Sequence, residues 1–269
     1  MEIGVTVRVM GPQATRTLLG DCARAAEDAG FESLWLADHI AIPPDDAEGS
    51  GGRYLDILAT LAWLAGITSR IRLGTGVLVL PYRAALPTAK QVATVQELSG
   101  GRVLLGVGIG WMEPEFRALG VDLRARGRIS DATLDFLNRA FAADEVELNG
   151  QRFLFRPRPE RPPVLVGGRA PHALVRAVKY GDGWFPMSRN PANLVAPIAE
   201  YHAMTAAAGK PRGNVTASVH LPLQDRAASR DLATQYRAAG VDRMVAAVRY
   251  DDLAGYRAQL DVLRDLRTV

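Results

Sequence analysis

His39 and Asp38 stand side by side in the segment Trp35-Leu36-Ala37-Asp38-His39. An imidazole takes or gives a proton near neutral pH, which both hydride and oxygen chemistry require. Taken alone, such a histidine could equally cap a helix or line a loop. The other histidines, His172, His202 and His220, show no metal-ligand spacing, and no His-Glu-x-x-His motif occurs, so no metal site is expected. A second group consists of glycines: Gly74, Gly76, Gly106, Gly108 and Gly110 crowd two neighbouring β-rich runs. Glycine inside a strand is kept where a ligand or another backbone approaches closely. A flat, bulky ligand over these positions is one explanation; bulging of the strands without a ligand is the other. The third group is Gly167-Gly168-Arg169, followed by Pro171 at the start of a helical run. Free N–H groups, the helix dipole and the guanidinium would suit an anion there. No Gly-x-Ser-x-Gly elbow, P-loop lysine motif or Gly-x-Gly-x-x-Gly fingerprint accompanies them.

The elements that must hold these groups alternate along the whole chain. β-rich runs occupy 3–9, 33–37, 71–80, 103–107, 164–166, 183–187, 215–221 and 243–248. Helical periodicity follows each, over 14–29, 55–67, 85–98, 128–141, 171–180, 191–208, 230–239 and 251–266. Eight such units predict an α/β fold, a single (β/α)₈ barrel domain over residues 1–269, although an open doubly wound sheet shares the alternation. In a barrel the chemistry lies on the loops after the strands, which carry Asp38 and His39, Pro81-Tyr82-Arg83, Gly110-Trp111, Gly167-Gly168-Arg169 and Arg249. Gly30, Gly181 and Gly240 read as left-handed helix caps before the next strand, which assigns Asp182 and Gly183 to the opposite, structural face. Residues 40–53 form a long Gly- and Pro-rich loop after the second strand, expected as a lid or tip. Residues 145–155 alternate around Asn149-Gly150, a hairpin signal.

Bulk properties narrow the function. The chain has 269 residues, 48% of them hydrophobic, enough for one large core. Its 32 basic and 29 acidic residues are interspersed, so no cationic face for nucleic acid is expected. The single cysteine, Cys22, lies among alanines on a helical run and excludes an intramolecular disulfide. Neither a signal peptide nor a run long enough to cross a membrane is present, so a cytoplasmic location and a small-molecule substrate are expected.

Ordered motifs then resemble the bacterial luciferase-like family of flavin- and deazaflavin-dependent oxidoreductases. They are Gly30-Phe31-Glu32-Ser33-Leu34-Trp35-Leu36-Ala37-Asp38-His39, Arg72 to Leu78, Ala89-Lys90-Gln91, Leu98 to Val103, Leu105 to Trp111, Glu115-Phe116, Arg126-Gly127-Arg128, Val166-Gly167-Gly168 and Gly181 to Trp184. The matches run from about residue 1 to 187; beyond 190 the resemblance is architectural. It implies an isoalloxazine-type ring over the third and fourth strands, with a non-proline cis peptide beneath it at Gly76-Val77. It further implies His39 as acid/base, oriented by Asp38, and cofactor contacts from Gly76, Val77, Gly108, Gly110, Gly167, Gly168 and Arg169. Trp111 and Tyr82 are expected to line the substrate pocket. Dehydrogenases of the group carry a glutamate where this chain has Trp111, so that particular activity does not carry over. The expected activity is hydride transfer between coenzyme F-420 and a small organic substrate. The alternatives are an FMN-dependent monooxygenase and a non-catalytic cofactor-binding barrel, and relatives often form homodimers.

Overall fold

Apolar runs of strand length, each followed by an amphipathic run of helix length, can bury both sequence types only by wrapping helices around a parallel sheet. The computed structural model, which describes residues 1–268, has that arrangement. Its strands are β1 (Glu2–Thr6), β2 (Ser33–Leu36), β3 (Arg72–Thr75), β4 (Leu78–Val79) and β5 (Val103–Gly108). A hairpin, β6 (Glu145–Leu148) and β7 (Gln151–Leu154), precedes β8 (Val164–Gly168), β9 (Gly183–Pro186), β10 (Asn214–Val219) and β11 (Arg243–Ala246). The helices are α1 (Arg16–Asp28), α2 (Ile57–Ile67), α3 (Ala85–Leu98), α4 (Glu113–Ala118) and α5 (Arg126–Ala142). They continue with α6 (His172–Tyr180), α7 (Val195–Ala207), α8 (Arg226–Ala238) and α9 (Leu253–Arg264).

Hydrogen-bonded neighbours run β3-β2-β1-β11-β10-β9-β8-β5, and β3 also pairs with β5, Leu73 opposite Val103 and Gly74 opposite Leu104. That last pairing closes the barrel and removes the open-sheet alternative. The third strand breaks at Gly76-Val77, whose peptide is cis, and resumes as β4 beside the end of β5. Side-chain caps set several helix starts: Thr15 accepts from Leu18 N–H, Asp56 from Ala59 N–H and Asp252 from Gly255 N–H. Asp225, capping through Ala228 N–H, starts α8 at Arg226, four residues before the sequence pattern suggested.

The face opposite the site is clamped by a repeated device. Asp182 accepts from Arg161 at 2.7 Å and from Val164 N–H at 2.8 Å. Asp242 accepts likewise from Arg212 at 2.9 Å and Val215 N–H at 2.8 Å. Each aspartate ties the start of one strand to the start of the next, the structural role expected for Asp182. Gly30 and Gly240 have positive φ, +74° and +97°, as C-terminal turns require. Gly181 does not: its φ is −107°, and the reason for glycine is space, since a Cβ would lie 3.0 Å from both Val164 O and Val166 Cγ2.

Space also accounts for Gly74, Gly106, Gly108 and Gly110, where protein atoms take the place expected for a flat ligand; Gly76 has only ordinary contacts and lines open space. Trp35, fully buried with Leu104, Leu165, Phe185 and Val245, fills the barrel interior. A Cβ on Gly74 would fall 2.4 Å from its ring, and one on Gly106 would fall 2.0 Å from Thr75 O. Gly108 and Gly167 seat the side chain of Val77, 2.6 and 3.2 Å from their would-be Cβ atoms. Gly110, with φ +75°, makes room for Val79 and Phe116. These close approaches come from protein atoms of other strands, the break in β3 and α4.

The hairpin turns at Asn149 and Gly150, with φ of 53° and 77°, as the sequence predicts. In the 40–53 loop, Arg53 donates twice to Ala14 O, at 2.8 and 3.2 Å, and Gly11 N–H donates to Arg53 O. Its base is thereby fixed beside the end of β1. No helix among the described residues is long and apolar enough to cross a membrane.

Candidate active site

At the ends of the strands, His39 is held by a carboxylate from a different part of the chain. Its Nδ1 lies 2.8 Å from Glu115 Oε2, across 75 intervening residues. Glu115 sits in the first turn of α4, a short helix opened by Pro114 after the glycine-rich end of β5. Its carboxylate is fully buried. Oε1 accepts from the backbone N–H groups of Ile40 and Ala41, at 2.6 and 3.0 Å. Oε2 accepts from Tyr82 Oη at 2.7 Å as well as from His39. Burial alone would push this carboxyl up, but the bonds from Ala41, Ile40, Tyr82 and His39 outweigh it and hold Glu115 below its ordinary value of 4.5. Tyr82 is pushed the other way, by burial first and then by Glu115, so its hydroxyl stays a donor.

An ionised Glu115 fixes the histidine tautomer. A carboxylate with no proton can only accept, so His39 must present Nδ1–H to it. Nε2 is then the nitrogen left to exchange a proton. The ring is packed edge-on by Tyr54 at 5.0 Å and Trp111 at 6.3 Å, and Trp111 itself is 70% exposed at the mouth.

Asp38 has other work. It is 4% exposed and binds Arg83 through both oxygens, at 2.7 and 2.9 Å, while Oδ2 also accepts from Val79 N–H at 2.8 Å. Arg83 reaches on to Asp56 at 2.9 Å. Asp38 therefore anchors β4 and the turn after it, and the expected orientation of His39 by Asp38 is replaced by Glu115. Tyr82 is buried behind Glu115 against Phe116, ring centroids 5.2 Å apart, so it supports the carboxylate instead of lining open space. Glu115 was visible in the sequence as part of Glu115-Phe116, but nothing in its spacing linked it to His39.

Two hollows open at this face. A central one of about 510 Å³ is floored by Trp35, Gly76 and Phe185 and rimmed by Arg8, His220 and Arg249; Gly49 of the 40–53 loop covers part of it. His39 stands outside its walls, two residues beyond Ala37, which does line it. A second hollow of about 620 Å³ lies after β8 and β9, lined by Gly168, Arg169, Trp184, Met187 and Asn190. Trp184 Nε1 donates to Gly168 O at 3.0 Å, which fixes this turn, and Gly168 has φ +130°. Arg169 is exposed and makes no ion pair among the described residues. Val77 and Gly167 are packed into the barrel wall beneath, and Gly108 and Gly110 seat neighbouring side chains. Of the expected cofactor contacts, Gly76, Gly168 and Arg169 thus face open space. Among the described residues no group of three or more His, Cys, Asp or Glu side chains is placed to hold a metal ion.

Comparison with known proteins agrees with this architecture. A secondary alcohol dehydrogenase dependent on F-420, solved with an F-420–acetone adduct, superposes with a TM-score of 0.84 at 16% identity, covering 99% of each chain. An uncharacterised protein of Mycobacterium tuberculosis is 32% identical over 206 residues, 70% of this chain and 71% of that one. The F-420-dependent hydroxymycolic acid dehydrogenase of the same organism is 32% identical over 194 residues, 66% of this chain and 51% of that protein. The profile of the luciferase-like monooxygenases matches residues 3–267, and the chain belongs to that family of oxidoreductases.

Proposed function

We propose that this chain transfers hydride between coenzyme F-420 and a small organic substrate, with His39 as the acid/base. The observation that carries the reading is the His39–Glu115 pair: a buried, ionised carboxylate holds the imidazole through Nδ1 and leaves Nε2 to exchange a proton. The lining of this face also supports that reading. The deazaflavin joins a planar ring system to an anionic tail, and the face offers an apolar floor of Trp35, Gly76 and Phe185 beside a turn carrying an unpaired Arg169. The F-420-dependent hydroxymycolic acid dehydrogenase among its relatives supports that choice. When bound, the deazaflavin supplies the carbon that accepts or donates hydride. His39 Nε2 would supply the proton that accompanies hydride delivery to the substrate and take it back in the reverse direction. Glu115 would stabilise the imidazolium while it holds that proton. Trp111 would screen the histidine from water at the mouth, and Tyr82 would hold Glu115 in place.

The test is a side-by-side titration of the full chain with coenzyme F-420 and with FMN, followed by tryptophan quenching. Trp35 and Trp184 line the two hollows and should report on binding. F-420 is expected to bind more tightly, and Arg169→Gln to weaken it about tenfold through loss of one charged contact. Selective binding of FMN would move the reading to an oxygen-using monooxygenase, and binding of neither would remove it.

A further inference from the structure

A third hollow, of about 970 Å³, lies after β10 and β11. His220, Ala247 and Arg249 line both this hollow and the central one, so the two are continuous. Arg189, arriving from the loop after β9, completes a basic wall with His220 and Arg249. Neither Arg189 nor Arg249 forms an ion pair among the described residues, whereas Arg212 and Arg243 on the neighbouring strand starts do. The carboxylates nearest in sequence are engaged: Asp225 and Asp252 cap α8 and α9, and Asp251 accepts from Gln13. Arg226, at the same hollow, is paired with Asp265.

The backbone of both free arginines is nonetheless pinned. Tyr236, fully buried on α8, donates its hydroxyl to Arg189 O at 2.8 Å. Gln259 of α9 clamps Arg249 from both sides, accepting from its N–H at 3.2 Å and donating to its carbonyl. Two loops are thus held by helices in a way that presents unpaired guanidinium groups to one cavity. Burial, and then Arg189 and Arg249, depress the basicity of His220, which places all three groups within electrostatic reach of one another. Like charges gathered without counter-ions are costly, and an oxyanion between them would relieve that cost while gaining charge-assisted hydrogen bonds.

We propose that this hollow binds an oxyanionic end of the substrate, a carboxylate or phosphate group, through Arg189, His220 and Arg249 while the substrate's reacting carbon lies in the central hollow. The substrate is then an elongated anionic molecule. The inference rests on the central hollow being the place of reaction. An anionic cofactor tail has the same chemistry, so the test must separate the two sources.

The experiment uses hexyl phosphate as the anionic probe and 1-hexanol as its neutral counterpart, titrated calorimetrically into the full chain with and without saturating F-420. Hexyl phosphate should bind both forms more tightly than hexanol. The double variant Arg189→Gln/Arg249→Gln should lose at least about tenfold of that affinity and much less of its affinity for F-420, although Arg189 also borders the hollow after β8 and β9 and Arg249 the central one. Thermal unfolding of the variant confirms that it is folded, since both side chains are exposed and unpaired. Equal binding of hexyl phosphate and hexanol, or undiminished binding by the variant, would overturn the proposal. So would a tenfold loss of F-420 affinity in the variant, which would give the hollow to the cofactor's tail. Failure of wild type to bind F-420 would instead count against the cofactor reading, while the arm without F-420 still decides the hollow.

Discussion

Glu115→Gln is expected to lower turnover by about 10²–10⁴-fold and to destabilise the fold by about 3 kcal/mol. The amide is nearly the same size, so the loss has an electrostatic cause. Glu115 accepts four hydrogen bonds and donates none. A glutamine must turn its NH₂ toward two of those donors, either the Ile40 and Ala41 amides or Tyr82 and His39. In the first case a backbone donor pair is orphaned in a buried site; in the second His39 is pushed to the other tautomer, with Nε2 carrying the proton. The pH dependence follows from the same contacts. Because the folded state holds Glu115 below its ordinary 4.5, its contribution is complete above that value and disappears as pH falls through the lower folded value. Wild type should therefore lose stability on acidification in that window, and the glutamine variant should lose less. Urea titrations across the acid range read this directly.

Asp38→Ala should be the most destabilising single change at this end of the barrel, by about 3–5 kcal/mol. Arg83 is buried by its surroundings, and burial works against its charge, but Asp38 and then Asp56 hold it protonated. Removing Asp38 leaves that charge with only the half-exposed Asp56 and leaves Val79 N–H without its acceptor. Adding Arg83→Met should recover part of the loss, since two apolar side chains are tolerated where one uncompensated charge is not. A denaturant series on wild type, the single and the double variant measures both effects. An Asp38→Ala protein within about 1 kcal/mol of wild type would refute the anchoring role.

How much of this could be read from the chain differs by level. Strand and helix alternation is local, and all eight barrel strands appear where the hydrophobic pattern puts them, as does the Asn149-Gly150 hairpin. The β3–β5 pairing that closes the barrel is not local and had to be inferred from the count of units. The glycines of β3 and β5 were correctly read as points of close approach, but the approaching group was not. Trp35 and Val77 come from other strands or across the break in β3, and a linear pattern does not show which side chain fills which gap. Asp38 and His39 are adjacent in sequence and diverge in space, because successive residues leaving a strand point to opposite sides. The true partner of His39 lies on α4, a six-residue helix too short to leave a periodic signal.

The most direct test of the central claim is the tautomer of His39. Nitrogen-15 NMR of histidine-labelled protein at mildly alkaline pH, with His39 assigned by its loss in His39→Gln, shows which ring nitrogen carries the proton. The account predicts the Nδ1–H form, with Nε2 unprotonated, and its loss in Glu115→Gln. A predominant Nε2–H form in the wild type would mean that Glu115 does not receive a proton bond from His39, and would contradict the proposed acid/base site.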